Sequence, residues 1–298
     1  MNINNGTSNP PRMEIQQAWW SMRGLGNGKR EWTVEEKFEK ISEAGFTGIL
    51  GKTLPEPDEV NKWRRLLDEH HFSYGINTFP SSKEDFRGFL NQAKDFGVQY
   101  INAQVMDYFV IGNNAIKLIN ELLEEAAKAE IPLFIETHRG RITQDLLRTV
   151  EYVQKVKDLR LTIDLSHYIV AGEIRDYDER YEPFFDELLK RTSSIHARVS
   201  NGQQIQVDIG PNGEHLMTEH FKQWWKKGIT YWLKGAKSGD VLPFVCEIGP
   251  PTYAISKFEY INLQGEELSD RWKQGLLFKK IAEEVWGACQ ASNNFISR

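Results

Sequence analysis

Short apolar runs recur along the chain, and between them apolar residues return every three or four positions. The runs are Glu14 to Trp20 (EIQQAWW), Phe46 to Leu50, Phe72 to Asn77, Gln99 to Gln104, Ile131 to His138 (IPLFIETH), Leu161 to His167 (LTIDLSH), Ser194 to Arg198 (SIHAR) and Leu242 to Gly249 (LPFVCEIG). Near-continuous apolar runs of this length suit strands buried on both faces. The intervening stripes predict helices: Val34, Phe38 and Ile41; Val60, Trp63, Leu66 and Leu67; Phe86, Phe89, Leu90 and Ala93; Ala115, Leu118, Ile119 and Leu122. Thr33 with Glu36 forms a capping box, Pro57 suits the first turn of the second helix, and Gly45 and Gly97 are helix stops.

Approximate strand ends at Trp20, Leu50, Asn77, Gln104, Glu136, Asp164, His196 and Glu247 lie 30, 27, 27, 32, 28, 32 and 51 residues apart. Eight strands alternating with helices on that beat predict an α/β fold, a single (β/α)8 TIM barrel over residues 13–298, closed by a C-terminal helix from Trp272 to Trp286. A doubly wound open sheet would want a Gly-rich phosphate turn after its first strand. Gly24-Leu25-Gly26-Asn27-Gly28 lacks the GxGxxG spacing. Residues 1–12 (MNINNGTSNPPR) read as a flexible N-terminal arm. In the last, long interval Asn201 to Met217 reads as a lid or rim, and Thr218 to Lys234 as a helix whose Trp224, Trp225 and Trp232 pack on the barrel.

Composition narrows the partners. With 40% hydrophobic residues the 298-residue chain can build a sizeable core, while a net charge of -5 argues against a nucleic-acid surface. A small molecule, uncharged or anionic, is the expected partner, and a homo-oligomer stays open. Cys246 and Cys289 are no disulfide framework, which fits a reducing cytoplasm. The first residues lack a signal peptide's apolar core, and no stretch approaches the roughly 20 apolar residues that cross a bilayer.

Four of the runs end in chemistry: Glu136, Asp164, His196 and Glu247. In a parallel barrel the C-terminal strand ends converge on one face, so residues remote in sequence meet there. A single Glu at a strand end is ordinarily the first solvated residue. Four ligand-type residues on consecutive strands are different, because burying three carboxylates together without a cation would force protonation. Three carboxylates and an imidazole suit one divalent ion, Mn²⁺ first, with Mg²⁺, Co²⁺ or Zn²⁺ as alternatives. His138 stands either as a substrate hydrogen bonder or as a rim residue beside Arg139 and Arg141. Trp19, Trp20 and Tyr253 either pack the barrel mouth or stack on a ligand, and Gln104 is a candidate hydroxyl ligand. His70 and His71 fit a helix C-terminus, and His215 and His220 the lid surface.

The stretches IETHRGRITQD, IDLSHYIVAGE, IHARVS and CEIGPPTYA resemble segments of the xylose isomerase-like barrel superfamily of sugar isomerases and epimerases, in particular its ketose 3-epimerase branch. The resemblance runs from about Glu14 to Trp286. It implies that Glu136, Asp164, His196 and Glu247 ligate the metal and that Glu136 and Glu247 also move protons on either side of a substrate carbon. By the same resemblance His167 and Arg198 bind substrate oxygens. Where relatives continue the H-A-R segment into a Gly-Pro-Gln rim motif, this chain has Gly202-Gln203-Gln204-Ile205-Gln206. The implied activity is a metal-dependent sugar isomerase or epimerase working through an enediolate. The alternatives are a lyase or glycoside-cleaving enzyme on 3-keto sugars, a phosphodiesterase like the abasic-site endonucleases, and a non-catalytic sugar-binding barrel. The phosphodiesterase would want more histidines and a basic groove.

Overall fold

Side chains alternate along each strand, and in this protein the two faces of the sheet are both buried but filled differently. The computed structural model describes residues 1–257 and 266–296, with side chains described to residue 291. Its strands are β1 (Ile3–Asn4), β2 (Arg12–Ala18), β3 (Gly48–Gly51), β4 (Ser73–Thr78), β5 (Tyr100–Ala103), β6 (Leu133–Glu136), β7 (Leu161–Ile163), β8 (Thr192–Ala197) and β9 (Asp240–Cys246). The helices are α1 (Val34–Glu43), α2 (Val60–Glu69), α3 (Lys83–Phe96), α4 (Gly112–Ala129), α5 (Leu146–Lys155), α6 (Ser166–Ala171), α7 (Glu182–Leu189), α8 (Leu216–Gly235) and α9 (Arg271–Ile296).

Strands β2 to β9 pair in parallel, each with its neighbour in sequence, and β9 returns to β2 with Gln17 opposite Cys246. That pairing closes a (β/α)8 barrel, as the strand spacing predicts. Ile15, Ile49, Ile76, Ile101, Ile135, Ile163, Ile195 and Phe244 face outward into the main core with the helices. Burying one such side chain stabilises by about 1.5–3 kcal/mol. The inward set is separate: Ala18, Leu50, Tyr100, Phe134, Val241 and Val245 pack with Ile3. Tyr100 lies over Gly75, where a Cβ would meet the ring at 2.2 Å, so this strand position takes glycine.

The N-terminal arm departs from expectation. β1 pairs antiparallel with β9, and Asn2 and Asn4 both donate to the Asp240 carboxylate, at 2.9 and 2.7 Å. Ile3, 5% exposed, joins the inward cluster and plugs the barrel at the strand starts, so the arm is fixed by burial of one aliphatic side chain.

Local signals set most helix ends. Thr33 and Glu36 exchange both bonds of a capping box, and Gly97, at φ 91°, ends α3. The second helix begins only at Val60, because residues 57–59 form a turn. The first barrel strand, β2, stops at Ala18, where Trp19–Met22 turn into a 3₁₀ helix. Two helices, not one, fill the interval between β7 and β8. Trp225 is wedged edge-on against Phe244 and Phe278, and Trp224 donates to Glu182 at 2.6 Å, so the α8 tryptophans are packing residues. No helix among the described residues is long and apolar enough to cross a membrane.

Candidate functional site

The inward face turns polar toward the strand ends. Strand parity that points Tyr100 into the barrel also points Asn102 and Gln104 there, and Phe134 is followed on its face by Glu136. Asp164 follows β7, while Arg198 and Glu247 follow β8 and β9, with His196 still inside β8. One ligand-type atom from each of Glu136, Asp164, His196 and Glu247 lies within 4.8 Å of the others, and all four residues are buried. The spacing pattern of four separate strands thus converges on one point.

Arg198 is part of this cluster. Its Nη2 donates to Asp164 Oδ2 at 2.9 Å and to Glu247 Oε2 at 2.7 Å. The resemblance implies a substrate-binding arginine, and here the guanidinium also braces two of the carboxylates. Glu136 Oε2 accepts from Asn102 at 2.6 Å and from Gln104 at 3.1 Å, leaving Oε1 without a partner. His196 Nδ1 sits 3.0 Å from Glu247 Oε2 but is not aligned as a hydrogen bond, and neither ring nitrogen has a bonded partner. Two donors in cis positions about 2.1 Å from one ion are about 3 Å apart, so the pair matches an edge of a coordination shell.

Charge points the same way. Three carboxylates against one guanidinium leave a formal -2 in a fully buried volume, which a divalent cation neutralises. Burial, with Glu247 and Asp164 close by, pushes the Glu136 carboxyl up to about 7 against the pull of His196. Burial raises Asp164 as well, with Arg198 opposing. At Glu247 burial is outweighed by His196 and Arg198, which bring it down to about 2. At His196 the carboxylates of Glu247 and Glu136 outweigh burial and raise it to about 9. Without a cation, then, the cluster balances itself by holding protons. Unpartnered buried donors, the net charge and the oxygen-rich ligand set all fit a divalent ion.

A cavity of about 320 Å³ opens beside the cluster, lined by residues that include Glu247, Arg198, His138, Gln104, Trp20 and Tyr253. His138 Nδ1 lies 2.5 Å from the Arg139 carbonyl oxygen, which can only accept, so Nδ1 carries the proton and Nε2 offers a lone pair. Burial, aided by Arg198, lowers His138 to about 3 and keeps it neutral. His167, on α6 and not on a strand, lies against His138 with 3.8 Å between ring centroids and the rings tilted by 39°, and burial holds it well below the usual histidine range. Its Nε2 lies 3.6 Å from Asp164 Oδ2. His138 and His167 also make a second group of ligand-type atoms with Glu136.

Trp20 and Tyr253 meet edge-on at 5.0 Å, and Arg198 lies over the Tyr253 ring at 4.6 Å. Their approach depends on Gly249, where a Cβ would meet Trp20 at 2.4 Å. Trp19 is turned away and packs on Trp63 and Phe38. Residues 201–215 are irregular as expected, with Leu216 and Met217 already in α8, yet the stretch supplies no lining residue of the cavity. It is tied down instead, through Gln206, which exchanges two hydrogen bonds with the Gly249 backbone at 3.0 and 2.7 Å. Asn77, Lys52, Phe79 and Arg141 line the cavity without having been singled out as site residues from sequence. Asn77 and Asn102 carry one usable signal, since both fall on inward strand positions.

A family model described as the xylose isomerase-like TIM barrel matches residues 38–204. The chain belongs to that family. The matched span contains Glu136, Asp164 and His196, and Glu247 lies beyond it. No curated protein matches in sequence. Among solved structures, the probable 3-DHS dehydratase AsbF of Bacillus anthracis is 14% identical, covering 81% of this chain and 95% of its own, with a TM-score of 0.56. The 3-keto-D-glucoside 4-epimerase YcjR of E. coli is 10% identical, covering 94% of this chain and 99% of its own, with a TM-score of 0.53. At such identities these likenesses bear on the fold alone.

Proposed function

We propose that the protein is a divalent-cation-dependent carbohydrate isomerase or epimerase that moves a proton at a carbon beside a carbonyl. The observation carrying this reading is the buried convergence of Glu136, Asp164, His196 and Glu247 beside a cavity of about 320 Å³, which suits a monosaccharide-sized ligand. These four side chains would hold the ion, Mn²⁺ first, which supplies a Lewis acid for neighbouring carbonyl and hydroxyl oxygens when bound.

The chain's own groups divide the remaining work. Glu247 reaches the cavity and is the group placed to take a proton from a bound sugar, with Glu136 as its counterpart deeper in the barrel. The unprotonated Nε2 of His138 accepts from a substrate hydroxyl, while His167 and Arg198 orient oxygens beside the carboxylates. Trp20 and Tyr253 wall the cavity and restrict water there.

The test is a panel of ketoses and 3-keto sugars incubated in D₂O with Mn²⁺-loaded protein and followed by NMR. Deuterium entering a carbon next to the carbonyl, with no bond to a substituent broken, is the expected result. Cleavage of a 3-keto glycoside would redirect the same proton removal to elimination, and absence of exchange in every sugar would refute the reading.

A further inference from the structure

A second cavity, of about 700 Å³, adjoins the first, and Asn77 and Phe79 line both. It runs from the loop after β3 between α2 and α3, and its walls include Leu54, Pro57, Val60, Phe79, Phe89 and Phe96. Phe79, at the junction, is 41% exposed. The first cavity, near 320 Å³, holds a single sugar ring with a few waters at roughly 30 Å³ each, so a larger substituent must leave it. Phe79 marks the way out into the adjoining groove.

The groove's own charges, two carboxylates to one guanidinium, favour an uncharged occupant over an anionic one, and the cations Lys52 and Arg141 belong to the first cavity. Arg64 is its only cation among the described residues, and that guanidinium already donates to the Asp95 carbonyl at 2.5 Å while lying over the Phe96 ring at 5.5 Å. The other charged lining groups are the carboxylates of Glu56 and Asp95. The rest of the lining is uncharged: the apolar and aromatic side chains above, with Thr53, Asn61, Asn77, Thr78 and Gln92 among them.

We infer that the groove is a subsite for an uncharged aryl substituent carried by the sugar, so that the substrate class is an aryl glycoside oxidised to a ketone on its ring. This rests on the proposed proton-transfer reaction for its chemistry but not for its binding. Withdrawing a phenyl group from water into such walls is worth about tenfold in affinity or more.

The experiment compares methyl and phenyl 3-keto-β-D-glucosides in D₂O exchange with Mn²⁺-loaded protein, alongside calorimetric binding of methyl and phenyl β-D-glucoside. Two groove-filling variants, Asn61→Trp on α2 and Gln92→Trp on α3, replace exposed residues that line the groove and not the first cavity. The expected result is a KM about tenfold lower for the phenyl substrate in the native protein, with that advantage lost in both variants and methyl turnover unchanged. Equal KM values, or an advantage that survives both variants, would overturn the subsite. If no glycoside exchanges but phenyl glucoside still binds about tenfold more tightly and only in the native protein, the reaction falls and the subsite stands. If phenyl brings no gain in binding and the variants instead change the sedimentation coefficient, the groove is a contact between copies and the inference fails.

Discussion

Removing the cation should make this protein's stability fall as pH rises, and Glu136 sets the size of the effect. Its carboxyl is raised from 4.5 to about 7 by burial among like charges. A group raised on folding favours the native state while protonated. That contribution is complete below pH 4.5 and gone above about 7, a loss of about 3 kcal/mol. Asp164, also raised, acts in the same direction, and His196, raised to about 9, loses its share between 6.5 and 9. Glu247 is depressed, so its contribution is already full above 4.5 and stays constant through this range. At roughly 2 °C per kcal/mol for a chain of this size, Glu136 alone should lower the melting temperature of chelator-treated protein by about 6 °C from pH 5 to pH 8, with Asp164 and His196 adding to the drop. Mn²⁺-loaded protein, whose carboxylates are paired with the ion, should show little such slope. Differential scanning fluorimetry with and without chelator measures both. Parallel curves for the two forms, or an unaltered slope in metal-free Glu136→Gln, would refute the account of why these residues are buried together.

Three other outcomes are expected. Glu247→Gln should lower D₂O exchange by about 10²-fold or more while leaving the circular dichroism spectrum and cooperative unfolding intact; unchanged turnover would remove Glu247 from its assigned role. Arg198→Met leaves Asp164 and Glu247 without their shared guanidinium, so urea unfolding of the metal-free protein should show a loss of about 3–5 kcal/mol, partly restored by Mn²⁺. Ile3→Ala should cost about 2–5 kcal/mol in the same assay, whereas a loosely attached arm would give no change.

The barrel was legible because its strands are short, apolar and evenly spaced, and because the residues closing four of them are ligand types. Asp164, His196 and Glu247 stand one step beyond or inside the strand ends, where parity alone brings them to the mouth. Ile3 could not be read from sequence: a two-residue strand inside a polar segment has no period to detect, and its burial depends on a partner more than two hundred residues away. Trp19 and Trp20 are adjacent and alike in sequence, and only the 3₁₀ turn after β2 decides that one faces Trp63 and the other the cavity. The long stretch after β8 matched the prior that long loops border sites, but Gln206 anchors it to the backbone at Gly249. Asn102 and Gln104 matter through hydrogen bonds to Glu136, and amides leave little mark in a hydrophobic pattern.

The seam at β9 has a consequence for how the polypeptide reaches its final form. β1 and one edge of β2, whose other edge pairs with β3, find their partner in residues 240–246, so those edges leave the ribosome unmet until that stretch has been made. Ring completion is therefore among the last steps of assembly, governed by a contact of very long sequence separation. During synthesis that bare edge and the exposed Ile3 side chain are the places where a chaperone, or a neighbouring nascent chain, would first take hold.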